Sequence, residues 1–163
     1  MQKARIRNPA LALPGALDAF QELGKVVAGS GVPDTTLALI QLRASQINGC
    51  AVCLDIHSRE LQHLGASSEQ MHTTAAWREA PYFSDAERAA LALTEAVTRI
   101  ADHADPVPDD VWNEAARHFS ESELAAIVVA IAVINAYNRV NRATAQPAGP
   151  WTQQIADQAL AAA

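Results

Sequence analysis

The chain has only two cysteines in 163 residues, few aromatic side chains (5%) and fewer basic than acidic groups, 12 against 18. The net charge of −6 leaves no material for the clustered basic face that nucleic-acid binding requires. The longest apolar run, Leu124 to Ile134, is too short to cross a bilayer, so no membrane association is expected. Lys3, Arg5 and Arg7 resemble the start of a secretory signal, but Pro9, Pro14 and Asp18 interrupt any apolar segment after them. A cytoplasmic location is expected. No segment alternates apolar and polar residues with period two, and no Asn-Gly or Asp-Gly turn joins β-branched runs, which excludes a strand-based fold. What remains is one globular domain, half hydrophobic and rich in alanine, long enough to bury about 70% of the surface its unfolded form exposes.

The apolar spacing predicts an all-α fold, with an extended N-terminal arm over residues 1–14, a helical domain over 15–145 and a C-terminal loop and helix or tail over 146–163. Leu17, Phe20, Leu23 and Val27 recur at helical steps in a first helix. Asp34 is placed to cap a second, which turns Leu37, Ile40 and Ile47 inward. A third helix starts near Cys50 and stops at Gly65. Ser67 with Gln70, Ser84 with Glu87 and Ser120 with Glu123 have capping-box spacing. The last of these opens a helix apolar on nearly all sides to Ile134, which suits a core or a subunit contact. Laying Asp34–Val52 on Glu121–Arg139 pairs Leu37 with Leu124, Ile40 with Ile127 and Asn48 with Asn135, a faint repeat that suggests two helical hairpins. Trp77, Trp112, Tyr82 and Phe83 are expected as core or interface anchors.

Both cysteines lie in Asn48-Gly49-Cys50-Ala51-Val52-Cys53, and His57 follows the second by four residues. On a helix, Cys50, Cys53 and His57 share one face. Asn48-Gly49 reads as a loop-to-helix transition, which sets the cysteines in the first turns. There the positive end of the helix dipole favours a thiolate, and more at Cys50 than at Cys53. Three other readings compete. The cysteines could be small buried hydrophobes. A zinc site from Cys50, Cys53 and His57 lacks a fourth ligand, so no metal is expected. Haem attachment is excluded because Leu54 stands where the adjacent histidine is needed. In a reducing compartment the spacing points to a thiol redox centre.

Leu42-Arg43-Ala44-Ser45-Gln46-Ile47-Asn48-Gly49-Cys50, then Cys53 and His57, is similar to the signature of the AhpD-like alkyl hydroperoxidases of the carboxymuconolactone decarboxylase superfamily. Ala76–Pro81, Glu87–Leu91, Thr94–Thr98 and Ile134–Arg139 extend the resemblance in order and spacing, over roughly residues 16–142. The resemblance implies an all-helical homo-oligomer, a trimer or hexamer, that reduces a hydroperoxide substrate with electrons from an external dithiol or thiol and needs no other cofactor. It implies Cys53 as the peroxidatic thiol, Cys50 as the resolving thiol and His57 in a proton relay. The family relay begins with a glutamate twelve residues before the first cysteine, where this chain has Ala38. Asp55 projects about 160° away from His57 and is a poor replacement. Glu60, Glu79, Glu87 and Glu95 could serve only through contacts the sequence does not show. Asn135, Asn138 and Asn141 share a helix face and suit a structural role as readily as a site. Alternative functions are a redox sensor, a general disulfide reductase, and a decarboxylase-type lyase, which has no need of the cysteine pair.

Overall fold

The computed structural model describes residues 3–161, with side chains through Ile155. Residues 1–2 of the expected arm and 162–163 of the expected tail lie outside the described residues. The chain is all-α, and no strand occurs among the described residues. Its helices are α1 (Pro9–Ala12), α2 (Ala16–Ala28), α3 (Asp34–Asn48), α4 (Ala51–His63), α5 (Ser68–Thr73), α6 (Asp85–Thr98), α7 (Asp109–His118), α8 (Glu121–Ala143) and α9 (Pro150–Ala161). Within the segment expected to be extended, Asn8 accepts from the Ala10 N–H and nucleates the single turn of α1.

Capping explains most helix starts. Ser84 and Ser120 form complete capping boxes with Glu87 and Glu123, each satisfying two otherwise unpaired backbone N–H groups. Ser67 caps α5, but Gln70 does not close the expected box: its side chain donates to Glu87 at 3.1 Å instead. Asp34 and Asp109 sit one residue inside their helices, after Pro33 and Pro108, and act through the helix dipole rather than as side-chain caps.

Helices α3 and α8 run through the centre. Ile40, Leu93, Ile127 and Ile131 are fully buried between them and α6, and burial of each contributes about 1.5–3 kcal/mol. A second apolar cluster joins Ala38, Leu39 and Leu42 to Leu61, Trp77, Phe83 and Leu91. Leu37 and Leu124, which the repeat pairs, lie in one cluster, and Asn48 donates to its counterpart Asn135 at 3.0 Å. The expected anchors divide: Trp77 and Phe83 are buried, whereas Tyr82 and Trp112 face outward.

At 23 residues α8 is long and apolar enough to cross a membrane by length and composition. Part of its apolar surface is nonetheless used inside the domain, through Leu124, Ile127, Ile131 and Ile134. The exposed apolar surface lies elsewhere. Only Val27 of the four α2 residues expected inward is buried, and Leu23 and Val26 face outward with Leu11 and Leu13 of the preceding segment. Around Phe20 these helices leave an apolar groove of about 440 Å³.

Candidate active site

Gly49 determines how the cysteines are presented. At φ +63 it occupies the left-handed region, which glycine enters without the clash a Cβ would cause. The Cys50 N–H then closes back on the Ser45 carbonyl at 3.0 Å, a Schellman-type end to α3. The chain reverses within one residue, and Cys50 becomes the N-cap of α4 instead of its first helical residue. Its sulfur accepts from the Cys53 backbone N–H at 3.4 Å. A serine or aspartate ordinarily fills this position; here a thiol does.

Both thiols are free and buried, with Cys50 1% and Cys53 3% exposed. Their surroundings separate them. Cys50 is drawn from 9.0 down to about 6, first by the hydrogen bond from the Cys53 thiol. Burial opposes this, while the Cys53 backbone N–H and the Asn141 and Asn138 side chains assist it. Cys53 is pushed well above its ordinary value by that same hydrogen bond, by burial and by the charge on Cys50. The two thiols titrate together, and the Cys53 N–H at Cys50 Sγ favours the negative charge on Cys50.

The polar face of α8 supplies the rest of the lining. Asn141 Nδ2 lies 3.5 Å from Cys53 Sγ, and Asn138 donates to Ser45 at 3.1 Å. Asn48 donates to both Asn135 and Asn138, at 3.0 and 2.9 Å. Asn135, Asn138 and Asn141 are buried and Asn48 half-buried, and the face packs the helices together while bordering the thiols. Spacing alone disclosed the shared face, but not that Asn141 ends on a sulfur. Tyr137 closes the apolar side with Ile56 and Trp151; its hydroxyl is raised by burial and by the nearby Cys53.

A partly enclosed cavity of about 180 Å³ adjoins Cys50, lined also by Asn141, Arg142, Ala145, Gln146 and Pro147. Cys53 does not line it. Ala145, at φ 54, is the one non-glycine in the left-handed region among the described residues; it turns the chain from α8 into the loop that walls the cavity.

His57 is one turn beyond Cys53 on α4. Among the described residues it makes no hydrogen bond to either sulfur. Its Nδ1 instead meets Glu60 Oε2 at 2.7 Å. A carboxylate therefore stands beside His57, three residues on within the same helix and without the tertiary contact expected for it. Ala38 is fully buried among apolar side chains. Asp55 faces away, as its helical angle requires, accepting from Arg59 at 3.2 Å and from Thr152 of α9. Glu95 is the hub of a separate buried network: it accepts from Arg43 at 2.8 Å, Arg78 at 2.7 Å and the Trp77 indole at 3.0 Å.

The model of the carboxymuconolactone decarboxylase family matches residues 14–96. The chain is 32% identical over 128 residues to the uncharacterized protein YdfG of Bacillus subtilis, covering 78% of this chain and 86% of YdfG. Over only 46 residues it is 39% identical to the alkyl hydroperoxide reductase AhpD of Rhodospirillum centenum, a quarter (25%) of that enzyme's length. Among solved structures it resembles Atu0492 of Agrobacterium tumefaciens, a protein of unknown function put forward as an AhpD-type antioxidant defence protein. The TM-score is 0.83 at 40% identity, covering 90% of this chain and 99% of that one.

Proposed function

Because the chain belongs to the carboxymuconolactone decarboxylase family, we propose that it is a thiol oxidoreductase that reduces hydroperoxides at the Cys50–Cys53 pair. The observation that carries this reading is the position of Cys50, a helix N-cap whose thiol is held near 6 at the wall of a cavity. A sulfur favoured as thiolate near neutral pH, at the wall of a cavity sized for a small molecule, is what attack on a peroxide requires. The decarboxylase chemistry in the family's name has no use for such a pair.

In the first step the Cys50 thiolate attacks one oxygen of ROOH. An S–O bond forms, the O–O bond breaks, and the alkoxide leaves as ROH on taking a proton, with Cys50 left as sulfenic acid. In the second step Cys53 sulfur attacks Cys50 sulfur, the S–S bond forms, and the oxygen leaves as water. An external dithiol then returns two electrons and two protons to the pair. This order, Cys50 first and Cys53 resolving, reverses the one the resemblance implies. It is supported by the cavity's contact with Cys50 and by the Cys53 N–H that donates to Cys50 Sγ.

His57 supplies the proton traffic. Glu60, as a carboxylate, only accepts, so Nδ1 carries the hydrogen toward it and Nε2 is the exchanging nitrogen. His57 takes the Cys53 proton as that thiol attacks. The cycle requires a reducing compartment such as the cytoplasm, and we place the subunit contact of a homo-oligomer on the exposed apolar face of α1 and α2.

Peroxide consumption with a dithiol donor tests the reading. Cys50→Ser abolishes it. Cys53→Ser permits one turnover and leaves a sulfenic acid on Cys50 that a dimedone adduct reports. Sulfenic acid on Cys53 in the Cys50→Ser protein would restore the reverse order. Single oxidation without turnover would make the pair a sensor, and turnover surviving loss of both cysteines would overturn the thiol mechanism.

A further inference from the structure

The hydrogen bonds leading to the thiols have a direction that the chemistry of their first member fixes. The Ala10 backbone N–H can only donate, and it meets Asn8 Oδ1 at 3.0 Å. That oxygen is thus the accepting end of the Asn8 amide, and Nδ2 is the donating end. Asn8 Nδ2 lies 3.0 Å from Asn141 Oδ1, which leaves Asn141 Nδ2 as the donor toward Cys53 Sγ at 3.5 Å. Amide orientations are normally ambiguous. Here a backbone donor sets both, since turning Asn141 over would bring two NH₂ groups face to face.

We propose that Asn8 is a positioning residue of the thiol centre: it holds the Asn141 amide with Nδ2 against Cys53 Sγ, so the N-terminal segment sets how well the pair carries a thiolate. The inference rests on the proposed thiol chemistry of Cys50 and Cys53, but not on a peroxide being the substrate. The Asn141 N–H polarises the Cys53 thiol, which donates to Cys50, and hydrogen bonds in series strengthen one another. The segment is laid along the end of α8 by its own contacts. The Arg5 N–H donates to the Thr144 carbonyl at 2.9 Å, its guanidinium to Ala143 at 3.1 Å, and Gln146 donates to the Ile6 carbonyl at 3.0 Å. Asn8 thereby meets a residue 133 positions away.

Other charged and titratable groups border the pair without depending on Asn8. Tyr137 and Arg142 come from α8, and one turn beyond Cys53 on α4 stands His57, engaged by Glu60. Asp55 of α4 is engaged by Arg59 and by Thr152 of α9, and Arg5 caps the end of α8. Helix α3 brings only the neutral Ser45 and Asn48.

The test is the ultraviolet thiolate titration of the reduced protein, which needs no peroxide. Asn8→Asp keeps an oxygen for the Ala10 N–H, and so the cap of α1, but has no donor. Its carboxylate calls the Asn141 Nδ2 toward itself and turns Oδ1 to the sulfur. Asn8→Ser also keeps a capping oxygen and adds no charge. Both variants are expected to raise the thiolate midpoint, Asn8→Asp by about one pH unit, a tenfold loss of thiolate below both midpoints. In an Asn141→Ala background neither substitution shifts it further. An unchanged midpoint in folded Asn8→Ser, or a full shift in the Asn141→Ala background, would overturn the proposal while leaving peroxide reduction untouched. Normal titration shifts without peroxide turnover would instead sustain Asn8 and refute the proposed substrate.

Discussion

His57 Nδ1 and Glu60 Oε2 are joined at 2.7 Å within a single turn of α4. The pairing keeps one imidazole tautomer and points the basic nitrogen away from the carboxylate. In the proposed mechanism it takes the place of an acid on α3. A relay can be rebuilt from its neighbour in sequence when the helix already aligns positions three apart.

Removing that partner should therefore slow the thiol cycle without unfolding the chain. Glu60→Ala is expected to lower turnover about tenfold, and His57→Ala about 10²-fold, in steady-state peroxide reduction. The double variant should be no slower than His57→Ala alone. Additive losses would mean that Glu60 acts on something other than the imidazole.

Ala38→Glu should not restore a family-like relay. Position 38 is fully buried in a cluster with Leu39, Leu42, Leu61 and Leu91, so a carboxylate there meets no polar partner. The expected cost is several kcal/mol in urea unfolding, about 2–5. A stable variant with raised turnover would contradict both the burial argument and the role given to Glu60.

Glu95 ties acid stability to the centre of the fold. Burial acts to raise its carboxyl, but the hydrogen bonds from Arg78, Trp77 and Arg43 outweigh it and hold the group at about 2 against 4.5. A folded value below the unfolded one means stability that is complete above 4.5 and lost as pH falls toward 2. The contribution is up to about 3 kcal/mol. Urea midpoints should fall more steeply over that window in the wild type than in Glu95→Gln. That variant should already be weaker at pH 7, because Arg43 and Arg78 lose the charge and one of the two accepting oxygens of their shared carboxylate.

Assembly is expected to use the face of α1 and α2. Leu13 is 66% exposed and Val26 73%, beside the apolar groove around Phe20. Sedimentation at micromolar concentration should show a species larger than the 17.3 kDa chain, and Leu23→Glu with Val26→Glu should dissociate it. A monomeric wild type would reject this surface.

Much of this was legible in the residues. The helices followed from capping serines and apolar spacing, and the closeness of the two thiols from the spacing of Cys50 and Cys53. The exact caps were less so, because Pro33 and Pro108 displace the side-chain caps that Asp34 and Asp109 could have formed. Glu60 was in view yet discounted, although its three-residue spacing from His57 was itself the signal. Asn8 could not be read as part of the site at all. Nothing local marks a residue whose importance comes from a partner 133 positions later.

That separation has a consequence for the chain while it is being made. Cys50 and Cys53 emerge from the ribosome well before Asn141, which follows Cys53 by 88 residues. At ordinary elongation rates the gap lasts roughly 4–18 s. During it the growing polypeptide carries two thiols without the amide that polarises them and without the walls of the cavity. On the proposed chemistry the newborn pair is expected to be less reactive than the finished one, and its full reactivity to arrive with α8. A stalled or truncated product ending before α8 is then expected to draw less on a thiol reductant than the finished chain does.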